Sequence, residues 1–183
     1  MMDIVFDLGN VLFEWNPQKI VKCLFVSETE QQEALQHIIY HPDWHMLDKG
    51  VLTLEEAIFR ADTRCSLGVD KIEYLFEETP KHLFPIQEMF NVVKDLNGRG
   101  YRLYVLSNMH RHGFEYLSTA YNIWQNFSGV VISSHIKYSK PEPEIYGHLI
   151  NTYDITPGNT VFLDDNQPNI DAAIRFEINA ILV

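Results

Sequence analysis

The sequence predicts an α/β protein of three layers, a parallel sheet covered by helices on both faces, with a helical segment inserted after the first strand. Three observations carry that prediction. Short β-branched runs alternate with longer amphipathic segments over most of the chain. The runs are apolar nearly throughout, as strands buried on both faces must be. One stretch of roughly 70 residues breaks the rhythm with helix starts alone. A chain of 183 residues has room for one such domain and a modest insertion.

The elements follow in order. Ile4-Val5-Phe6 is the first strand. The insertion spans residues 14–84 and leaves a core of residues 1–13 and 85–183. Within the insertion, Asn16-Pro17 reads as an N-cap followed by proline in the first helical position. Ser27 with Glu30, and Thr53 with Glu56, both have the spacing of a capping box. A further helix starts at Asp70 after Leu67-Gly68, and Phe76, Phe84 and Phe90 are assigned to the core. Beyond the insertion, a helix over 86–98 stops at Gly98-Arg99-Gly100 and leads to a strand at 102–106. A helix at 111–121 precedes a strand at 129–133, and a helix at 142–152 opens on Pro141-Glu142-Pro143-Glu144. A strand at 160–163, a helix at 167–176 and a last strand at 180–183 complete the alternation, which right-handed crossovers turn into a sandwich.

Charge and composition exclude several functions. With 25 Asp and Glu against 14 Lys and Arg, the net charge of −11 provides no basic face for nucleic acid. The purely apolar runs, such as Val130-Val131-Ile132, are strand-sized, far short of the ~18 residues that a membrane span needs. The first residues show neither a basic nor an apolar leader region, and Cys23 and Cys65 form no disulfide framework, so they are expected as buried thiols. A cytoplasmic protein, monomeric or weakly homo-oligomeric, is the expectation.

Polar clusters stand immediately after the strands: Asp7 to Asn10 after the first, Ser107-Asn108 after the second, Asp164-Asp165-Asn166 after the fourth, with Ser139-Lys140-Pro141-Glu142 ahead of a helix. In a parallel sheet these strand ends converge on one edge, where ligands bind. Carboxylates gathered there suit a hard divalent cation such as Mg²⁺, which leaves room for a substrate phosphate. With the charge neutralised, a remaining carboxylate can attack phosphorus, while a lysine and a hydroxyl hold the phosphoryl oxygens. His110-Arg111-His112, at a helix start, reads as a solvated or phosphate-facing surface rather than a metal site.

The order Asp7-x-Gly-Asn-Val-Leu, Leu-Ser107-Asn108, Lys140-Pro-Glu and Asp164-Asp165-Asn resembles the four motifs of the haloacid dehalogenase superfamily. The resemblance covers the whole chain and implies a Rossmann-like core with a helical cap. The cap stretch Trp44-His45-x-x-Asp48-Lys49-Gly50-x-x-Thr53 and the run from Ser139 to Tyr146 are similar to the bacterial α-D-glucose-1-phosphate phosphatase branch, which favours a sugar phosphate as substrate.

The resemblance implies that Asp7 forms an aspartyl-phosphate and ligates Mg²⁺, and that Gly9 offers its carbonyl to the metal. Ser107 and the Asn108 backbone would bind phosphate, and Lys140 would pair with phosphate and Asp7. Asp165 would ligate the metal directly, with Asp164 acting through water or orienting the site. One position departs from the pattern: the second aspartate that usually serves as general acid and base is Gly9. His45, Asp48 and His110 are the candidates to contact substrate or move the proton in its place.

Two enzymatic readings follow, a Mg²⁺-dependent phosphatase of a small phosphorylated metabolite and a carbon–halide hydrolase using the same Asp7. A response-regulator-like phosphoaspartate domain fits poorly, since its acid pair follows the first strand and it has no helical insertion. A catalytically weak phosphate-binding protein stays open because of Gly9.

Overall fold

The computed structural model describes residues 2–183, and Met1 lies outside the described residues. Five strands form one parallel sheet: β1 (Asp3–Phe6), β2 (Arg102–Ser107), β3 (Gly129–Ile132), β4 (Thr160–Asp164) and β5 (Asn179–Leu182), in the spatial order β3-β2-β1-β4-β5. β1 is central, paired with β2 through Asp3–Arg102 to Phe6–Val105 and with β4 through Asp3–Thr160 to Phe6–Leu163. That register brings the C-terminal ends of β1, β2 and β4 level, so Asp7, Ser107 and Asp164 emerge side by side.

Strand alternation divides the core in two. Ile4, Phe6, Leu103 and Val105 pack on one face with Phe90, Val93 and Leu117, from α6 (Gln87–Gly98) and α7 (Arg111–Ala120). Val5, Tyr104, Leu106 and Phe162 pack on the other with Ile145, Tyr146, Leu149 and Ile170, from α9 (Pro143–Tyr153) and α10 (Gln167–Arg175), and the short α8 (Ser133–Ile136) follows β3. Buried on both faces, these strands are continuous apolar runs rather than alternating ones. The edge strand β5 is different: Ile181 and Leu182 are about half exposed, because β5 has a partner on one side only.

A helical cap follows β1: α1 (Pro17–Leu24), α2 (Glu28–Ala34), α3 (Pro42–Lys49), α4 (Leu54–Asp62) and α5 (Val69–Glu78). It has its own core, with Val21, Ile38, Trp44, Leu47, Ile72, Leu75 and Phe76 buried together. The two chain crossings run alongside each other, with the Glu14 amide donating to the Phe84 carbonyl at 2.8 Å and the Ile86 amide to the Leu12 carbonyl at 2.9 Å. Among the described residues no helix is long and apolar enough to cross a membrane.

Several local expectations are corrected. Thr53 and Glu56 do close a capping box on α4, but Ser27 makes no side-chain cap on α2, and the Glu30 carboxylate that would complete the box accepts from Lys71 of α5 at 2.5 Å. Phe84 is 47% exposed: its carbonyl pairs with Glu14 across the crossing, which turns Leu83 inward and Phe84 out. Cys23 is exposed and Cys65 half-buried, since α1 buries Pro17, Ile20 and Val21 along a face that leaves Cys23 outside. The stretch carrying His45 and Asp48 is the helix α3, started by Pro42 in its first turn and stopped by Gly50 in the left-handed region (φ 77°).

Candidate active site

The strand ends open into a cavity of about 300 Å³ between the sheet edge and the cap. Asp7, Gly9, Ser107, Asn108, Lys140 and Asp165 line it from the core, and Asp48 lines it from the cap. At its floor the Lys140 ammonium, 2% exposed, lies 2.8 Å from Asp7 Oδ1 and 2.6 Å from Asp164 Oδ2. Taking a lysine charge out of water is unfavourable unless partners compensate, and here two carboxylates flank it.

Each group is fixed by its neighbours. The Leu8 amide donates to Asp7 Oδ1 at 2.7 Å, and the Asp7 amide donates to the Leu163 carbonyl at 3.0 Å. Asn108 orients the lysine segment reciprocally: its side-chain amide donates to the Lys140 carbonyl at 2.8 Å and accepts from the Lys140 amide at 2.7 Å. Asp164 is wholly buried, and its Oδ1 accepts from the Asn166 amide and the Asn169 side chain, each at 2.9 Å. Asn169 is steadied in turn by the Tyr146 hydroxyl, which donates to its carbonyl at 2.9 Å. Asp165 faces solvent and accepts from Asn10 Nδ2 at 2.8 Å, with Asn10 held at positive φ (54°).

The site is chemically incomplete without a cation. Asp7, Asp164 and Asp165 place carboxylate oxygens within 4.8 Å of one another, against a single buried lysine. Burial pushes the Asp7 carboxyl above its usual range; the Asp164 charge adds to this, and Lys140 and the Ser107 hydroxyl pull it back. A hard divalent cation fits such an all-oxygen donor set, and the Asp7 and Asp165 carboxylates and the Gly9 carbonyl are the groups that would hold it. Asp164, already engaged by Lys140, Asn166 and Asn169, is arranged to orient the others.

The three candidates for the missing acid separate clearly. His45 is exposed on α3, its Nε2 lies 3.4 Å from Ser139 Oγ, and it does not line the cavity. His110 lines it, but burial with nearby His112 lowers its pKa to about 4, and its Nδ1 accepts from the Gly113 amide at 3.1 Å. Asp48 lines it as a carboxyl whose pKa burial raises to about 8, although the His110 amide, donating at 2.9 Å, and the Trp44 indole favour its charged form.

Asn169 and the anchoring of Asp48 went unread in the sequence. The signal for Asn169 was its place in the first turn of α10, five residues after Asp164. For Asp48 it was the Pro42-to-Gly50 frame, which marks a helix and hence a fixed direction for the side chain.

Residues 4–183 match the family model described as haloacid dehalogenase-like hydrolase. A sesquiterpene phosphatase, astK, of Aspergillus oryzae is 27% identical over 169 residues, covering 92% of this chain and 83% of the relative. Among solved structures, a HAD family enzyme of Bacteroides thetaiotaomicron in complex with magnesium superposes with a TM-score of 0.81 at 20% identity, covering 100% of this chain and 93% of the other. An L-2-haloacid dehalogenase of Xanthobacter autotrophicus with chloropropionic acid covalently bound does so with a TM-score of 0.74 at 14% identity, covering 100% and 77%.

Proposed function

The chain belongs to the haloacid dehalogenase-like hydrolases, and from that premise we propose that it is a Mg²⁺-dependent phosphomonoester hydrolase of a small phosphorylated metabolite. The carrying observation is the floor of the cavity, where Asp7, Asp164 and Asp165 cluster around one buried lysine. A carbon–halide hydrolase has no use for a cation-binding acid pair beside its nucleophile. The phosphatase named among the relatives supports the same choice.

In this reading Asp7 attacks phosphorus with its oxygen that is free of Lys140 and Leu8, and the bond from phosphorus to the ester oxygen breaks. Lys140, the Ser107 hydroxyl and the Asn108 backbone hold the phosphoryl oxygens as charge builds. Mg²⁺ held by the Asp7 and Asp165 carboxylates would offset their charge and polarise the phosphoryl group. Asp48, neutral at pH 7 because burial holds its pKa near 8, donates its proton to the departing alkoxide. The same carboxylate then takes a proton from the water that attacks the aspartyl-phosphate, which releases phosphate and restores both Asp7 and Asp48.

Phosphate release from p-nitrophenyl phosphate tests the reading. The parent is expected to turn over with Mg²⁺ and to stop with EDTA, and Asp7→Asn to fall by at least a thousandfold, roughly the 4 kcal/mol that a lost nucleophile removes. Equal rates for parent and Asp7→Asn would refute it. EDTA-resistant chloride release from 2-chloropropionate would favour the halide reading instead.

A further inference from the structure

Besides the residues of the phosphate-binding floor, the cavity is lined by Phe13, Trp15, Trp44, Pro80, Leu83 and Met109. The aromatic part is held firmly: Trp44 stacks on Phe76 with centroids 5.4 Å apart and packs against Trp15 at 5.9 Å. Several polar groups beside this wall are already engaged by the protein, with Asp48 lining the cavity as the proposed proton donor. The Thr79 hydroxyl donates to the Leu75 carbonyl at 2.6 Å, and His110 Nδ1 accepts from Gly113. Asn10 donates to Asp165 and accepts from the Trp15 amide. Among the described residues lining the cavity, Lys140 is the only Lys or Arg, and the phosphate-binding floor uses it.

We propose that the substrate is a monophosphate of an apolar, alkyl or aryl, alcohol. The inference rests on the phosphatase reading and names its substrate class. A sugar phosphate, favoured by the resemblance, would bring several hydroxyls against a lining in which Thr79, Asn10 and His110 Nδ1 are already engaged, and each buried hydroxyl left without a partner weakens binding. A second phosphate, as in a nucleoside diphosphate, would find no cation on that wall. An apolar leaving group gains from burial against the rings and Met109.

The test compares Mg²⁺-dependent phosphate release from acetyl phosphate, glucose 1-phosphate, glucose 6-phosphate, phenyl phosphate and a series of n-alkyl phosphates from ethyl to decyl. Expected is a kcat/KM that rises by about threefold per methylene until the chain reaches the cavity mouth. Hexyl phosphate should exceed both glucose phosphates at least tenfold. Met109→Gln and Trp15→Gln should lower the ratio of hexyl to acetyl phosphate turnover by at least fivefold.

A flat alkyl series, or glucose phosphates that match hexyl phosphate, with acetyl phosphate turned over normally, would overturn the substrate class and leave the phosphatase reading standing. Loss of all Mg²⁺-dependent release, acetyl phosphate included, would overturn the phosphatase reading and this inference with it.

Discussion

Lys140 sits between two carboxylates with almost no access to water, so its charge and theirs are bound together. Lys140→Met leaves Asp7 and Asp164 buried without their counter-charge, and breaking such a set costs about 3–5 kcal/mol. The expected outcome is a matching loss in urea denaturation, partly recovered by added Mg²⁺. In the proposed mechanism, Asp48 sets the pH dependence of turnover. Its folded pKa, near 8, lies above the ordinary carboxylate value of 3.8 because burial disfavours the charge. The folded state therefore holds this proton more tightly than the unfolded one, and the Asp48 contribution to stability declines as pH climbs from about 4 to 8. As the proposed acid it must be protonated, so kcat should fall as pH rises through 8, and Asp48→Asn should remove that limb while lowering kcat at pH 7. Gly9 bears on the same step. A Cβ there meets Trp15 Cβ at 3.7 Å, an ordinary contact, so Gly9→Asp can be accommodated. It should raise turnover in an Asp48→Asn background by about tenfold, a modest share of what general acid catalysis supplies.

The helix α3 is the element that ties cap to core. Its Asp48 carboxylate accepts from the His110 amide, its Asp48 carbonyl accepts from the Ser133 hydroxyl, and its Lys49 pairs with Glu142 at 2.5 Å. Gly50, which ends it, lies in the left-handed region, and a Cβ there would come within 2.4 Å of the Ser134 carbonyl oxygen. Backbone cannot yield as a side-chain tip can, so Gly50→Ala should destabilise by about 2 kcal/mol or more in urea titration, from αL strain and the forced separation together. Capping gives a contrast within the cap. Thr53→Ala removes a closed capping box and should lower stability by about 1 kcal/mol. Ser27→Ala, where no side-chain cap forms, should change it by under half as much.

On the scale of the whole molecule, a net charge of −11 repels an anionic substrate, and the binding site works against that field by local means: one buried lysine and a place for a cation. A cation held by the Asp7 and Asp165 carboxylates in the folded state but not in the unfolded one would make stability depend on that cation by mass action. Added Mg²⁺ should raise the Tm of the parent in a concentration-dependent way, and EDTA should return it to the metal-free value. Asp165→Ala, at an exposed position, should keep the metal-free Tm and lose most of the Mg²⁺-dependent rise.

Strand positions, the helical insertion and the convergence of Asp7, Ser107, Lys140, Asp164 and Asp165 were legible in the sequence alone. Periodicity and caps are local, and a parallel sheet carries strand-end residues to a common edge whatever their distance along the chain. Burial was not legible where it depends on what a distant element covers. Phe84 and β5 are exposed, and Glu30 turns from its own helix to Lys71 of another. The Asp48 carboxyl is raised in pKa by burial where α3 is pressed against Ser133 and Ser134, whereas the buried Asp43 of the same helix pairs with Arg64 and is lowered. The apolar wall is likewise a product of docking: Phe13, Trp44, Leu83 and Met109 belong to separate segments, and only the closure of cap on core makes them one surface. Local patterns thus determined which side chains meet at the sheet edge, while desolvation, set by tertiary packing, raised the pKa of one cap carboxyl and tertiary packing brought the apolar lining together.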